Sequence, residues 1–301
     1  MNTTVPGKSQ YKKLLREILE HGRQVKSQQG TDAIRLIAPT PLRFRFNEGF
    51  PMITERNLNP KTSEKLPVTI WQQAVGEMFA FVNGVRTQEE LEKFGCYWWK
   101  SWVTKEKCAK RGFPEGDLGD GSYGPAFHDF PTENGPFNQF ADVLAEAREN
   151  PHLRTLFITP WIPQYIPRRK GLRQRVVVAP CHGWIHLDIT PDNELTLHSF
   201  QRSADAVVGL PNDIIGYATL TEAIAKVLGL KVCEYVHSFS NAHIFVDQLE
   251  AVETMLHREN RDFPTLTLKN PPDDLFAFRR EHFELSDYNP HPGIKSIPLA
   301  I

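Results

Sequence analysis

The sequence predicts a single α+β domain over residues 1–301, with a mixed sheet packed by helices. Three observations carry that expectation. Segments with helical and with strand-like hydrophobic patterns follow one another in mixed order. No Pro/Ser-rich linker, internal repeat or low-complexity tract divides the chain. At 40% hydrophobic and 11% aromatic content, 301 residues can bury a substantial core.

The elements follow in order. Over residues 11–25 the side chains of Tyr11, Leu14, Leu15, Ile18 and Leu19 share one helical face, and Gly22 marks its stop. LRFRF at 42–46 alternates like a half-buried strand and runs into a turn at 47–49. Pro67 suits the first turn of a second helix, through Ile70, Ala74, Met78, Phe79 and Val82, which Asn83 and Gly84 end. Residues 100–136, rich in Lys, Asp and Pro and with six glycines from Gly112 to Gly135, predict a long irregular segment, a length at which loops are often functional. A helix over 138–149 precedes Pro151, and LFITPW, QRVVVAP and WIHLDI then read as strands. A turn at 190–193 leads into LTLHSF. Ile214, Tyr217, Leu220, Ile224, Val227 and Leu228 share one face of a helix that starts after Asp213, a favoured capping residue, and ends at Gly229. Apolar positions 245, 249, 252 and 256 predict a last helix over 245–256.

Lys plus Arg (35) nearly balances Asp plus Glu (36), which removes the electrostatic case for a nucleic-acid or acidic-membrane partner. A bound anion must be held by a local cluster of cations. The four cysteines (96, 108, 181, 233) show no paired spacing of a zinc site or disulfide framework, so no metal is expected and a reducing cytoplasm is the simplest setting. The first residues lack the apolar core of a signal peptide, and no run approaches the ~20 apolar residues of a membrane span.

Cys181, in VVVAPCH, reads as a nucleophile or as an inert buried thiol. QRSAD then brings Arg202, Ser203 and Asp205 past the next strand of an apparent hairpin, where a cation can approach the thiol and lower its pKa. The bland alternative for Arg202 is a solvated strand-end charge, and for His243 a histidine that caps or packs at a helix start. Glu77 stands in a helix that is apolar almost all round, the setting of a buried carboxyl with a raised pKa. The aromatic run YWWKSW is either core or a slot for a flat heterocycle.

Taken together, APCH, QRSAD, GLP ahead of a helix, AHIF and the ending SDYNPHPGIKSIPLAI resemble the thymidylate synthase family over nearly the whole chain. The resemblance implies a family fold whose sheet face is used for dimerisation, and a reaction between a pyrimidine nucleotide monophosphate and 5,10-methylenetetrahydrofolate. Cys181 resembles the nucleophile that adds to C6 of the pyrimidine, Arg202 and Ser203 the phosphate ligands, and Glu77 the glutamate that organises proton transfer. Tyr123 resembles the tyrosine near the reacting carbon, and His243 the histidine that reaches the sugar. Trp99, Trp102, Asp205 and Ile301 resemble the residues of the folate side. Family members are dimers in which two arginines cross to the partner's phosphate; Arg154 matches one, and Thr155 stands where the second would be. KSQQGTDA also carries Gln where the family has Arg, leaving Lys26, Arg35, Arg173 and Arg175 as candidate substitutes.

Two departures bear on substrate. Asp213 replaces the family's usual Asn, and an aspartate can accept from the cytosine amino group while sharing a proton with N3; the resemblance at this position is to the deoxycytidylate hydroxymethylase branch. Phe245 replaces a Tyr whose hydroxyl meets the sugar, a contact worth ~1 kcal/mol, so CMP stands beside dCMP as a substrate. The leading expectation is a cytidine monophosphate C5-hydroxymethyltransferase. The alternatives are a uridylate C5 methylase of the thymidylate synthase type and a non-catalytic nucleotide- or RNA-binding relative, which the balanced charge and Cys181 disfavour.

Overall fold

The computed structural model describes residues 7–61 and 63–300; the C-terminal Ile301, expected on the folate side, lies outside them. The chain opens with α1 (Gly7–His21), β1 (Arg23–Val25), β2 (Ala33–Ile37), β3 (Leu42–Arg45), α2 (Ile70–Val82) and α3 (Gln88–Lys93). It continues through α4 (Lys105–Ala109), α5 (Tyr123–His128), β4 (Phe130–Thr132), β5 (Gly135–Phe137), α6 (Gln139–Glu149) and β6 (Phe157–Ile158). The site-bearing part is β7 (Trp184–Ile189), β8 (Glu194–Gln201), β9 (Ala204–Asp205), α7 (Gly209–Leu228), β10 (Lys231–Phe239) and β11 (Asn241–Phe245). After these come α8 (Leu249–His257), β12 (Thr265–Leu268) and β13 (Phe283–Ser286).

The architecture is mixed α+β, as expected. A five-stranded sheet runs β3-β10-β8-β7-β6, with β10 parallel to β8 and its other pairs antiparallel. Along β8, Leu195, Leu197, Ser199 and Gln201 face inward while the intervening residues stay half-buried, the period-two pattern of a strand with one covered face. That covered face packs on α7, which packs in turn on α2. The other face carries His186, His198, Thr196 and Val236 beside Arg43, which pairs with Glu234. A four-stranded sheet, β1-β2-β11-β9, flanks the first. None of the described helices is long and apolar enough to cross a membrane.

Several boundaries differ from expectation, each for a local reason. The helix α1 stops at His21, as Gly22 predicts, with Gly22 N–H on Ile18 O at 2.9 Å, but it begins at Gly7, ahead of Tyr11, where Gly7 N–H bonds Glu48 Oε2 at 2.7 Å. Pro67 lies ahead of α2, which starts at Ile70 because Gln72 Oε1 accepts from Thr69 N–H at 3.0 Å. Residues 100–136 are not wholly irregular; they contain α4, α5 and the β4–β5 hairpin. Residues 174–180 form no strand, since Arg175 N–H bonds Tyr165 O and Val177 N–H bonds Leu118 O, two separate loops in place of one ladder. Phe245 closes β11, and the helix begins only at Leu249.

The largest difference concerns α7. It starts at Gly209, four residues before Asp213, so Asp213 is a second-turn residue and not the cap. The upstream Asp205 takes over the turn: its Oδ1 accepts from Val207 and Val208 N–H at 2.9 and 3.0 Å. Pro211, with no N–H to satisfy, fits the first turn that follows.

Gly76 sits in α2 one residue before Glu77, and a Cβ there would lie well inside contact distance of Phe94 O. Gly76→Ala is expected to lower stability by about 2 kcal/mol, because this overlap outweighs the ~1 kcal/mol of helix propensity that alanine brings. A urea melt checks it; a midpoint at or above that of the wild type contradicts the packing argument.

Candidate active site

Cys181 lies in a turn between the 174–180 segment and β7, fixed at the backbone from two sides. Its N–H donates to Tyr123 Oη at 2.7 Å, and its carbonyl accepts from Arg202 N–H at 2.8 Å. Arg202, just past the end of β8, donates Nε to Pro180 O at 2.7 Å and Nη2 to Ala179 O at 2.9 Å. The same Nη2 lies 3.3 Å from Cys181 Sγ. The β7–β8 hairpin thus does bring the cation to the thiol.

The expected acidification is outweighed, however. Burial pushes the Cys181 thiol above its ordinary value; Arg202 pulls it down and Asp213 pushes it up. Part of the guanidinium's hydrogen-bonding capacity is taken by two carbonyls, so the resting thiol is protonated at neutral pH.

Glu77 meets the sequence expectation. Its Oε1 accepts from Trp98 Nε1 at 2.7 Å and Trp99 Nε1 at 2.5 Å, with Cys96 Sγ at 3.9 Å. Burial lifts its pKa to about 7 against the downward pull of those donors. Trp99, 9% exposed, packs edge-on to Phe81 and Tyr123 and is a Glu77 ligand more than an open platform. Trp98 escaped sequence reasoning, because the run YWWKSW does not say which indoles a 3₁₀ turn aims at the same oxygen.

Asp213 projects from α7 toward the sheet. Its Oδ2 accepts from Gln201 Nε2 at 2.9 Å, and its Oδ1 lies 3.5 Å from His182 Nε2. His182 Nδ1 contacts Tyr217 Oη at 2.7 Å, and its ring stacks on Tyr123. Burial holds Asp213 well above the carboxylate range, aided by Glu77 and opposed by Gln201. Burial, then Arg202, pulls His182 down to about 3, so a neutral imidazole stands beside a carboxyl whose burial favours its protonated form.

His243 and Phe245 stand on β11, not on a helix. His243 Nδ1 is 3.1 Å from Asn241 Oδ1, whose amide nitrogen donates to Arg202 O at 2.8 Å, so the strand is tied to the Cys181 turn. Burial lowers the His243 pKa while Asp205 raises it. The Phe245 ring is 4% exposed. Besides its turn-capping oxygen, Asp205 offers Oδ2 to Gln248 Nε2 at 3.2 Å, so both its oxygens are engaged within the protein. Arg154 is exposed on the loop before β6.

A cavity of about 730 Å³ opens beside Cys181, Arg202, Ser203 and Trp102. Its cations are not those expected. Arg175 bonds Asp120 and stacks on Tyr165, Arg173 bonds the carbonyls of Arg111 and Gly112, and Lys26 and Arg35 are exposed. Arg168 lines the cavity in their place and donates at 3.2 Å to Oε1 of Gln28, a residue of the altered KSQQGTDA loop. The basic run PRRKGLRQR was its available signal. Trp161, the last residue of LFITPW, lies past the end of β6 with its ring centroid 5.7 Å from the Arg202 guanidinium. Among the described residues no cluster of three or more His, Cys, Asp or Glu could hold a metal ion.

The Glu77 pKa has a consequence for stability. Raised from 4.5 to about 7, it makes the folded state bind more protons than the unfolded state between those values, so this residue's contribution falls as pH rises through that window. Thermal unfolding of wild type and Glu77→Gln across the same pH range checks it: the variant is expected to gain on the wild type as pH rises. A difference that stays flat contradicts the assignment.

A comparison with protein families supplies the frame for this geometry. The family model described as thymidylate synthase matches residues 9–300, nearly the whole chain. Members take 5,10-methylenetetrahydrofolate as co-substrate and need no metal. The match over residues 9–300, with the thiol, the arginine and two buried carboxyls described above, shows that the chain belongs to the thymidylate synthase family, the folate-dependent one-carbon transferases of pyrimidine nucleotides.

Proposed function

We propose that the protein is a cytidine monophosphate C5-hydroxymethyltransferase, which converts CMP or dCMP, 5,10-methylenetetrahydrofolate and water into the 5-hydroxymethyl nucleotide and tetrahydrofolate. The observation that carries the reading is Asp213: a buried carboxyl, held by Gln201 and beside neutral His182, whose burial favours its protonated form. A protonated carboxyl donates to N3 of cytosine and accepts from its amino group. Sharing that proton makes C6 more electrophilic toward Cys181 Sγ.

The other residues fit the same chemistry. Arg202 is the cation nearest the sulfur and favours its thiolate as the C6 adduct forms. Arg202, Arg168 and Ser203 line the cavity with groups suited to a phosphate dianion. Glu77, poised near pH 7, can hold or pass a proton about the base. Trp102, Ile166 and Val178 offer walls for a flat heterocycle, and Lys107 and Lys110 suit carboxylates, so the cavity fits a folate. When bound, the folate supplies the one-carbon unit. Phe245, lacking a hydroxyl toward the sugar, is consistent with a ribonucleotide. The reading includes a homodimer formed through the sheet face, with Arg154 reaching the partner's site, working in a reducing cytoplasm where the four cysteines stay free.

The direct experiment incubates the protein with 5,10-methylenetetrahydrofolate and each of CMP, dCMP, UMP and dUMP, then weighs the nucleotide products. A hydroxymethyl group gained by a cytosine nucleotide is expected; a methyl group on uracil sinks the reading. Asp213→Asn is expected to lower the cytosine-to-uracil ratio of kcat/KM by roughly tenfold or more, since the amide donates to O4 of uracil but has no acidic proton to transfer toward N3 of cytosine. An unchanged ratio removes Asp213 as the reader of the base.

A further inference from the structure

A string of buried side chains runs beneath the site, from the sheet interior to Asp213. Ser199 Oγ lies 3.0 Å from Tyr235 Oη, which lies 2.5 Å from His237 Nδ1. His237 Nε2 is 2.8 Å from Gln201 Oε1, and Gln201 Nε2 is 2.9 Å from Asp213 Oδ2. Ser199, Tyr235 and His237 are wholly enclosed, and Gln201 is 3% exposed. The parallel register of β8 and β10, with Ser199 opposite His237, lines them up.

One backbone atom fixes the direction of the string. Gln201 Nε2 also reaches Ser203 O at 3.1 Å, and a carbonyl oxygen can only accept. The amide nitrogen therefore faces Ser203 and Asp213, and the amide oxygen faces His237. Because that oxygen also only accepts, His237 carries its proton on Nε2. In the neutral ring Nδ1 then accepts from Tyr235 O–H, and the tyrosine oxygen accepts from Ser199. Burial, with smaller contributions from His182 and His198, holds His237 down at about 3, which keeps the ring neutral. At the other end Asp213 Oδ2 receives an N–H, and because the carbonyl-type oxygen of a carboxyl is the better acceptor, this bond favours the proton on the other oxygen. Oδ1 remains, 3.5 Å from His182 Nε2.

We propose that His237 and Gln201 are positioning residues that confine the Asp213 proton to Oδ1 and thereby fix the donor–acceptor order shown to the pyrimidine. The choice of cytosine rests on the function proposed above; the confinement itself does not. A carboxyl whose proton moves freely between its oxygens serves the edge of either base, whereas a pinned proton serves one order. Discrimination is then set from the sheet interior by residues that need not touch substrate.

Two measurements test this. Nitrogen-15 NMR of the full chain labelled in histidine reads the His237 tautomer without any need for activity. The neutral, Nε2-protonated ring is expected; an Nδ1-protonated or charged ring overturns the proposal. The second measurement compares kcat/KM for CMP and UMP in wild type and Gln201→Glu, which sets a second carboxyl against Oδ2 and draws the proton there. The ratio is expected to change by roughly tenfold or more. An equal loss on both nucleotides overturns the proposal, because a merely structural defect lowers both alike. Should Gln201→Glu fail to fold, the wild-type tautomer decides. A wild type that prefers uracil defeats the cytosine reading, while a ratio that shifts in Gln201→Glu still supports the confinement.

Discussion

The arrangement depends on the Arg202 guanidinium. The segment ahead of Cys181 belongs to no strand, and isolated bonds tie it to loops. Arg202 docks it on the end of β8 through the carbonyls of Ala179 and Pro180 and through its own backbone N–H to Cys181 O. The thiol thus stands at a fixed height above the sheet. One residue serves as anchor for the turn and as the charge nearest the sulfur.

Around this cation the resting site carries little other charge. Burial keeps Cys181 protonated, pushes Asp213 toward its protonated form, puts Glu77 near its midpoint at neutral pH and holds His182 neutral. A low-dielectric pocket with unbalanced guanidinium groups is prepared for an anion, and a nucleotide phosphate fits that need. The same burial makes an ionised Cys181 thiolate costly in the resting site.

Much of this was legible in the sequence, and the rest fails for identifiable reasons. Glu77 stood out because a carboxyl among apolar neighbours has few structural explanations. Cys181 and Arg202 could be joined because a hairpin closes over a short, predictable span. The strand expected at 174–180 failed because an apolar run buried by loops has the same periodicity as one buried in a sheet. The cap assigned to Asp213 failed because Asp205, eight residues earlier, already takes the free N–H groups. Arg168 was missed because its place depends on a loop closing back on Gln28, a tertiary event with no local periodicity. The string behind Asp213 was equally hidden, since its members come from β8, β10 and α7 and meet only through strand register.

The paired indoles on Glu77 have a further meaning. Trp98 and Trp99, adjacent in sequence, converge on a single carboxylate oxygen, and among the described residues Oε2 takes no comparable bond. The Glu77 carboxyl is thus held through one oxygen, as Asp213 is held by Gln201 through Oδ2 while its Oδ1 faces His182. Each acid is anchored through one oxygen, so the direction in which its other oxygen points is set by the fold.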